Sequence, residues 1–130
     1  MRHRVKGRKL GRNTGQRKAL FRQLLASLFL KGEIKTTLAK AKAIKGLADK
    51  LVTKAKKGSL HQQRFIHSFL QNKTAAQRLI KEIAPGFKKR TSGFTSIIHL
   101  GQRRGDAAVM AKIGLAGERK EKTPQSSVKK

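Results

Sequence analysis

Side chains that could carry out acid–base or metal chemistry are few in this chain of 130 residues. The six carboxylates belong to separate segments, whereas general acid–base catalysis needs groups held within hydrogen-bonding reach of one substrate. Four histidines are present, but His61 and His67 are six residues apart in a helical segment and therefore face different directions. The absence of cysteine excludes disulfides, thiolate nucleophiles and cysteine-based zinc sites. We therefore predict no catalytic residue, no metal site and no cofactor.

Basic side chains are the dominant chemical group. The chain has 33 Lys and Arg against 6 Asp and Glu, a formal net charge of +27. Such a surplus of like charge opposes compaction and indicates a polyanionic partner, for which nucleic acid is the obvious candidate. Residues 1 to 22 hold nine Lys or Arg and no acid, and residues 33 to 58 hold eight against Glu33 and Asp49. Because the surplus extends along the chain, a single localised basic tail is excluded.

The first twelve residues are the clearest candidate for a binding segment. They carry charge at nearly every second position and have no apolar periodicity from which a core could be built. The glycines at positions 7, 11 and 15 follow no strand, so they do not match a nucleotide-binding glycine loop. They favour flexibility and allow the backbone to approach phosphate closely. We predict an extended basic arm over residues 1 to 12 that contacts nucleic acid.

Aromatic side chains offer little surface for stacking on bases. The chain has six Phe and no Tyr or Trp, and most of the Phe residues occupy apolar positions of helices or strands. Phe94 is the one candidate for contact with a base. We therefore expect recognition through phosphates and RNA shape.

The elements that must position these groups can be read from the hydrophobic periodicity. Asn13 or Thr14 can cap a first helix, with Gln16 placed as a capping-box partner of Asn13. The helix ends at Lys31-Gly32 and is followed by a short edge strand over residues 33 to 37. An interior apolar stripe is predicted at Leu20, Phe21, Leu24, Leu25, Leu28 and Phe29, with Arg22, Gln23 and Ser27 on the outer face.

Three more helices and two strands are predicted downstream. The second helix runs from Leu38 to a stop at Gly58, and the third is capped by Ser59 and ends at Gln71-Asn72. The fourth begins at a capping box of Thr74 and Gln77 and ends at Pro85-Gly86. Alternating residues then predict strands over 94 to 100 and 109 to 115, joined by a glycine-bracketed turn that presents Arg103 and Arg104.

This order of helix-strand-helix-helix-helix-strand-strand predicts an α+β fold, a two-layer domain with a small sheet packed on helices. We expect one RNA-binding domain over residues 13 to 116 and a flexible polar tail over residues 117 to 130, which lacks periodicity and contains Pro124. The longest apolar stretch, Leu24 to Leu30, is interrupted by Ser27 and is far shorter than the roughly 18 residues of a membrane span. No membrane association and no signal peptide are expected.

Ordered fragments along this chain resemble the bacterial-type large-subunit ribosomal protein family numbered seventeen. The resemblance covers Met1 to about Leu115, and it is the order and spacing of the fragments that make it specific. Family members often carry Tyr and Arg where this chain has Phe94 and Ser96. The fragments are Met1-Arg2-His3-Arg4, Arg8-Lys9-Leu10-Gly11-Arg12, Gln16-Arg17-Lys18-Ala19, Ile34-Lys35-Thr36-Thr37-Leu38, Ala39-Lys40-Ala41-Lys42, Gly93-Phe94-Thr95, Arg103-Arg104-Gly105-Asp106-Ala107 and Met110-Ala111.

The resemblance implies a non-enzymatic structural constituent of the large ribosomal subunit, with the same order of elements. The implied partners are large-subunit ribosomal RNA and neighbouring ribosomal proteins, with no small-molecule substrate, in the bacterial cytoplasm or in an organelle. The rivals are a nucleoid-type DNA-packaging protein, for which no dimer interface or heptad seam is evident, and an enzyme acting on RNA. The predicted RNA-binding residues are Arg2, His3, Arg4, Lys6, Arg8, Lys9, Arg12, Arg17, Lys18, Arg22, Lys35, Lys40, Lys42, Arg103 and Arg104.

Overall fold

The computed structural model describes His3 and residues 7 to 116. The other residues of the predicted arm before position 7, and the whole predicted tail, lie outside the described residues. The elements are α1 (Thr14–Lys31), β1 (Glu33–Thr37), α2 (Leu38–Lys57), α3 (Leu60–Leu70), α4 (Lys73–Arg78), a π-helical segment (Leu79–Ile83), α5 (Ala84–Gly86), β2 (Thr95–Gln102) and β3 (Val109–Leu115). Since α4, the π-helical segment and α5 form one helical run, the predicted order of elements is confirmed.

The three strands form an antiparallel sheet in the order β1-β3-β2. β1 lies at an edge, as predicted, and Ile34 in it pairs with Ile113 of β3. Thr36, Thr95, Ala111, Ile113 and Leu115 are buried on one side of the sheet, where α2 contacts all three strands and α1 contacts β1 and β3. The sheet therefore packs on helices in two layers, and the α+β prediction is confirmed.

α1 begins and ends as the sequence predicts. The Asn13 side chain accepts from the Gln16 N–H at 2.9 Å, and the Gln16 side chain accepts from the backbone N–H of Asn13, which completes the capping box. Gly32 ends the helix in the left-handed region, with φ of 78°, where a Cβ would be strained. Both ends of α1 are therefore encoded locally.

The burial of α1 differs from the predicted single stripe. Leu25, Ala26, Leu28 and Phe29 are buried, whereas the predicted interior residues Leu20, Phe21 and Leu24 are only half-buried. Arg22 and Ser27, predicted on the outer face, are also half-buried, and only Gln23 of that set is exposed. The reason is that α1 is central, because α2, α3, α4, β1 and β3 all contact it from different sides.

The start of α4 corrects the predicted cap. Asn72, rather than Thr74, is the N-cap, and its side chain accepts from the Ala75 N–H at 3.1 Å. The run ends at Gly86 as predicted, after a π-helical turn in which the Ala84 N–H donates to the Leu79 carbonyl. In a regular helix the ring of Pro85 would clash with the carbonyl four residues earlier, and the wider turn just before Pro85 relieves that crowding. None of the described helices is both long and apolar enough to cross a membrane.

Candidate nucleic-acid interface

Several basic side chains are engaged inside the fold and are poorly placed for an external partner. The Nζ atoms of Lys54 and Lys56 lie 4.4 and 5.2 Å from the ring centroids of Phe65 and Phe94. Arg78 contacts Glu82 at 3.2 Å and the carbonyl of Leu30, and Lys112 contacts Glu33 at 3.2 Å. The internal contacts of these four cations therefore involve none of the predicted RNA-binding residues.

A set of six cations lies at the start of α1 and just before it. We call Arg8, Lys9, Arg12, Arg17, Lys18 and Arg22 the N-terminal basic group. It contains no acid, and no acid precedes Glu33 in the chain. Arg8, Lys9 and Lys18 are exposed, while Arg12, Arg17 and Arg22 are half-buried.

A turn at Lys9 to Arg12 links the described end of the predicted arm to α1. The Arg12 N–H donates to the Lys9 carbonyl at 3.1 Å, and both residues between them have positive φ, 54° at Leu10 and 64° at Gly11. The Arg12 guanidinium donates to the Leu10 carbonyl at 2.8 Å, and Arg17 donates to the Arg12 carbonyl at 3.4 Å. These bonds hold cations of the arm and of α1 in one group. Of the other predicted arm residues, His3 is exposed, and Arg2, Arg4 and Lys6 lie outside the described residues.

The N-termini of α1 and α2 carry the positive partial charge of their helix dipoles. The first turns of α1 and α2 hold no acid, so nothing there neutralises the positive end of either helix dipole. At α2, the side chain of the N-cap residue Thr37 makes no capping hydrogen bond. Lys42 is exposed and Lys40 is half-buried just beyond this terminus, and Lys35 is exposed on the preceding strand. Such an end is favourable for a phosphate group.

The hairpin turn between β2 and β3 lies at the same end of the sheet as the start of α2. β1 ends at Thr37, which pairs with Met110 one residue into β3, and α2 follows directly. The turn that carries Arg103 and Arg104 precedes β3, so it belongs to this end too. The structure thus brings Lys40 and Lys42 to the same end of the sheet as the two arginines.

Arg103 and Arg104 have different roles in that turn. Arg103 donates twice to Asp106, from Nε to Oδ1 at 3.1 Å and from Nη2 to Oδ2 at 2.6 Å. This hydrogen bonding, with support from the Ala108 N–H, lowers the pKa of the Asp106 carboxyl to about 2 and raises the pKa of Arg103. Arg104 is exposed. The predicted pair therefore splits into one arginine that closes the turn and one that faces solvent.

Sequence reasoning missed a cavity beside the N-terminal basic group. It has a volume of about 420 Å³ and lies where α1, α2 and α3 meet. We call it the α1 cavity. Its α1 residues are spaced at i, i+3, i+4, i+7 and i+8, so the sequence shows that they share one face of the helix. No local signal in the sequence shows that this face meets α2 and α3. The lining residues are Thr14, Arg17, Lys18, Phe21, Arg22, Leu47 and Phe69.

Neither Phe94 as a stacking residue nor a metal site finds support among the described residues. Phe94, the ring considered for contact with a base, is 1% exposed and packs edge-on against Phe87 with centroids 5.2 Å apart. No group of three His, Asp or Glu side chains in the described ranges could hold a metal ion. What the geometry offers is a set of separate cationic surfaces that can bind phosphates.

Comparison with known proteins identifies the family of this chain. The family model described as ribosomal protein L17 matches residues 20–116. A large ribosomal subunit protein bL17 of Pelobacter propionicus is 46% identical over 127 residues, which is 98% of this chain and 98% of the relative. A protein of the same name in Dictyoglomus turgidum is 49% identical, over 87% of this chain and 97% of the relative. Another in Thermodesulfovibrio yellowstonii is 51% identical, over 85% of this chain and 84% of the relative. The chain therefore belongs to the ribosomal protein L17 family.

Proposed function

We propose that this protein is a structural constituent of the large ribosomal subunit that binds and stabilises large-subunit ribosomal RNA, mainly through phosphate contacts. The proposal assigns it no catalytic activity, no cofactor and no small-molecule substrate. Its place would be the ribosome of the bacterial cytoplasm, beside neighbouring large-subunit proteins. Membership of the L17 family supports this role, since its curated relatives are named as proteins of that subunit.

The observation that carries the proposal is the N-terminal basic group. Among the described residues none of its six cations has an acidic partner, so their charge is available to an external polyanion. Arginines of this group can bind phosphate through two parallel hydrogen bonds, while its lysines act as point charges. The group would therefore lie against RNA phosphates.

We propose that residues 13 to 116 form the domain that docks on RNA and that the arm over residues 1 to 12 passes between RNA helices. The second contact would lie at the end of the sheet that carries Lys35, Lys40, Lys42 and Arg104, with Arg103 shaping the turn. Because like charges repel without RNA, folding and assembly would be coupled.

The test is binding of the full chain to purified large-subunit ribosomal RNA at several salt concentrations. We expect the logarithm of affinity to fall with the logarithm of salt at a slope of about −0.7 to −0.9 per neutralised phosphate. In a cell extract, the protein should sediment with the large subunit through a high-salt wash. Release to the top of the gradient at moderate salt would contradict a structural role, and equally tight binding to duplex DNA would favour a DNA-packaging protein.

A further inference from the structure

We infer that the α1 cavity is a nucleotide pocket, which takes the base of one unpaired nucleotide of large-subunit ribosomal RNA and binds that nucleotide's phosphate at its cationic rim. This inference rests on the proposed function and adds to it a site that reads the RNA as a single strand. It differs from the phosphate contacts described above, because part of the affinity would come from an apolar contact.

The floor of the cavity suits a base. Phe21, Leu47 and Phe69 come from three different helices, and each is half-buried rather than covered by the protein. The volume of about 420 Å³ falls within the range of roughly 300 to 1,000 Å³ that is usual for small-ligand sites. Proteins that recognise RNA by sequence mostly take unpaired bases and stack them on aromatic or arginine side chains. The α1 cavity offers both kinds of surface.

The rim of the cavity suits a phosphate. Arg17, Lys18 and Arg22 line it, and the described lining residues include no acid. The Nε atom of Arg22 is buried and makes no hydrogen bond to any of the described residues. Its Nη1 makes one long bond, 3.4 Å, to Oε1 of Gln71. A buried charged donor without an acceptor is costly, so an incoming anionic acceptor would satisfy a group that the fold leaves unpaired.

Continuity with the surrounding surface favours RNA over a protein side chain as the occupant. Arg17 both lines the cavity and donates to the carbonyl of Arg12 in the preceding turn. The cavity therefore opens within the N-terminal basic group, the surface proposed to lie against RNA. An apolar side chain of a neighbouring protein would fill the floor but would leave the three rim cations without counter-charge, whereas a nucleotide supplies a flat apolar face and an anion together.

The first experiment fills the cavity without changing its charge. Leu47→Trp adds bulk at the floor, and Leu60→Trp is the matched control, because Leu60 is 62% exposed and is not among the lining residues. With large-subunit ribosomal RNA as the probe, Leu47→Trp should bind about 5- to 150-fold more weakly than the parent, the range that one stacked base contributes. Its salt slope should stay close to that of the parent, since Arg17, Lys18 and Arg22 are all kept at the rim. Leu60→Trp should bind as the parent does, and circular dichroism should show parental helix content in both.

A second pair of variants keeps the inference testable if Leu47→Trp folds poorly. Arg22→Gln should weaken binding and reduce the steepness of the salt slope by about 0.7 to 0.9, one phosphate, and should remove protection of an unpaired base in chemical footprinting. Arg64→Gln, a change of the same charge at an exposed position of α3, should leave that base protected. Ultraviolet cross-linking of the parent complex should join one nucleotide to the peptide that contains Phe21 or Phe69.

The outcomes separate this inference from the proposed function. If Leu47→Trp and Leu60→Trp both fold and bind RNA with equal affinity, the nucleotide pocket is overturned. Steep salt-dependent binding by the parent would still uphold the proposed function. Cross-links from Phe21 or Phe69 to a neighbouring protein instead of RNA would also overturn it. Failure of the parent to bind large-subunit ribosomal RNA would refute the proposed function itself.

Discussion

Deleting residues 1 to 12 should weaken RNA binding strongly while leaving the helical domain folded. The deleted segment carries six Lys or Arg: Arg2, Arg4, Lys6, Arg8, Lys9 and Arg12. The deletion spares Asn13 and Gln16, so the capping box at the start of α1 is retained. The domain loses the Arg12 carbonyl that accepts from Arg17, but none of the buried core side chains belongs to the deleted segment.

The magnitude follows from the charge count. If each of the six cations neutralises one phosphate, the slope of log affinity against log salt becomes shallower by at most about 4.2 to 5.4. Over a fourfold rise in salt, the parent would then lose roughly 300- to 2,000-fold more affinity than the deletion variant. A full-length variant with the same six residues changed to Gln should behave like the deletion, which separates the loss of charge from the loss of chain length.

The assay is a filter-binding titration with large-subunit ribosomal RNA at four or more salt concentrations, with circular dichroism melts of each variant. An unchanged slope in the deletion variant would refute the reasoning, because the arm cations would then contact no phosphate. A deletion variant without a helical circular dichroism signal would refute the expectation that the cap of α1 forms independently of the arm.

Three further predictions concern the folded domain. Asn13→Ala should lower the free energy of unfolding by about 1 kcal/mol, because the Gln16 N–H loses its acceptor, and a urea midpoint equal to the parent's would contradict this. The pKa of Asp106 is lowered to about 2 from 3.8. Its contact with Arg103 should therefore stabilise the turn at pH values above the pKa of this carboxyl in the unfolded chain, and this stabilisation should be lost as the pH falls through about 2. In Arg103→Gln, an NMR titration should show this carboxyl moving up toward its ordinary pKa, and an unmoved midpoint would exclude Arg103 as the cause. Phe29→Ala should cost about 3 to 5 kcal/mol, since the ring is fully buried, and calorimetry showing less than about 1 kcal/mol would mean that the core closes over the void.

Local signals in the sequence were sufficient for the order of the elements and for most of their boundaries, although β2 spans Thr95–Gln102 rather than residues 94 to 100. The Asn13 and Gln16 capping box, Gly32 and Gly58 each act within one turn of the backbone, so their effect can be read without knowing the fold. The cap of α4 shows the limit of such signals. Asn72 and Thr74 both lie in reach of a helix start, and in the fold Asn72 caps α4 directly after Gln71 ends α3.

The sequence by itself determined that the chain is strongly basic, that its first 32 residues hold no acid, and that its elements follow the α+β order. Charge is additive along a chain, and the helix caps and hydrophobic periodicities that mark its elements are local. Only the tertiary structure decided which cations stay available. In the folded chain, Arg103 is bonded to Asp106, Arg22 is half-buried in the lining of the α1 cavity with Phe69, and Phe94 is buried beneath Lys56. Those outcomes depend on contacts between residues distant in sequence or on how a turn closes, and neither periodicity nor composition records them.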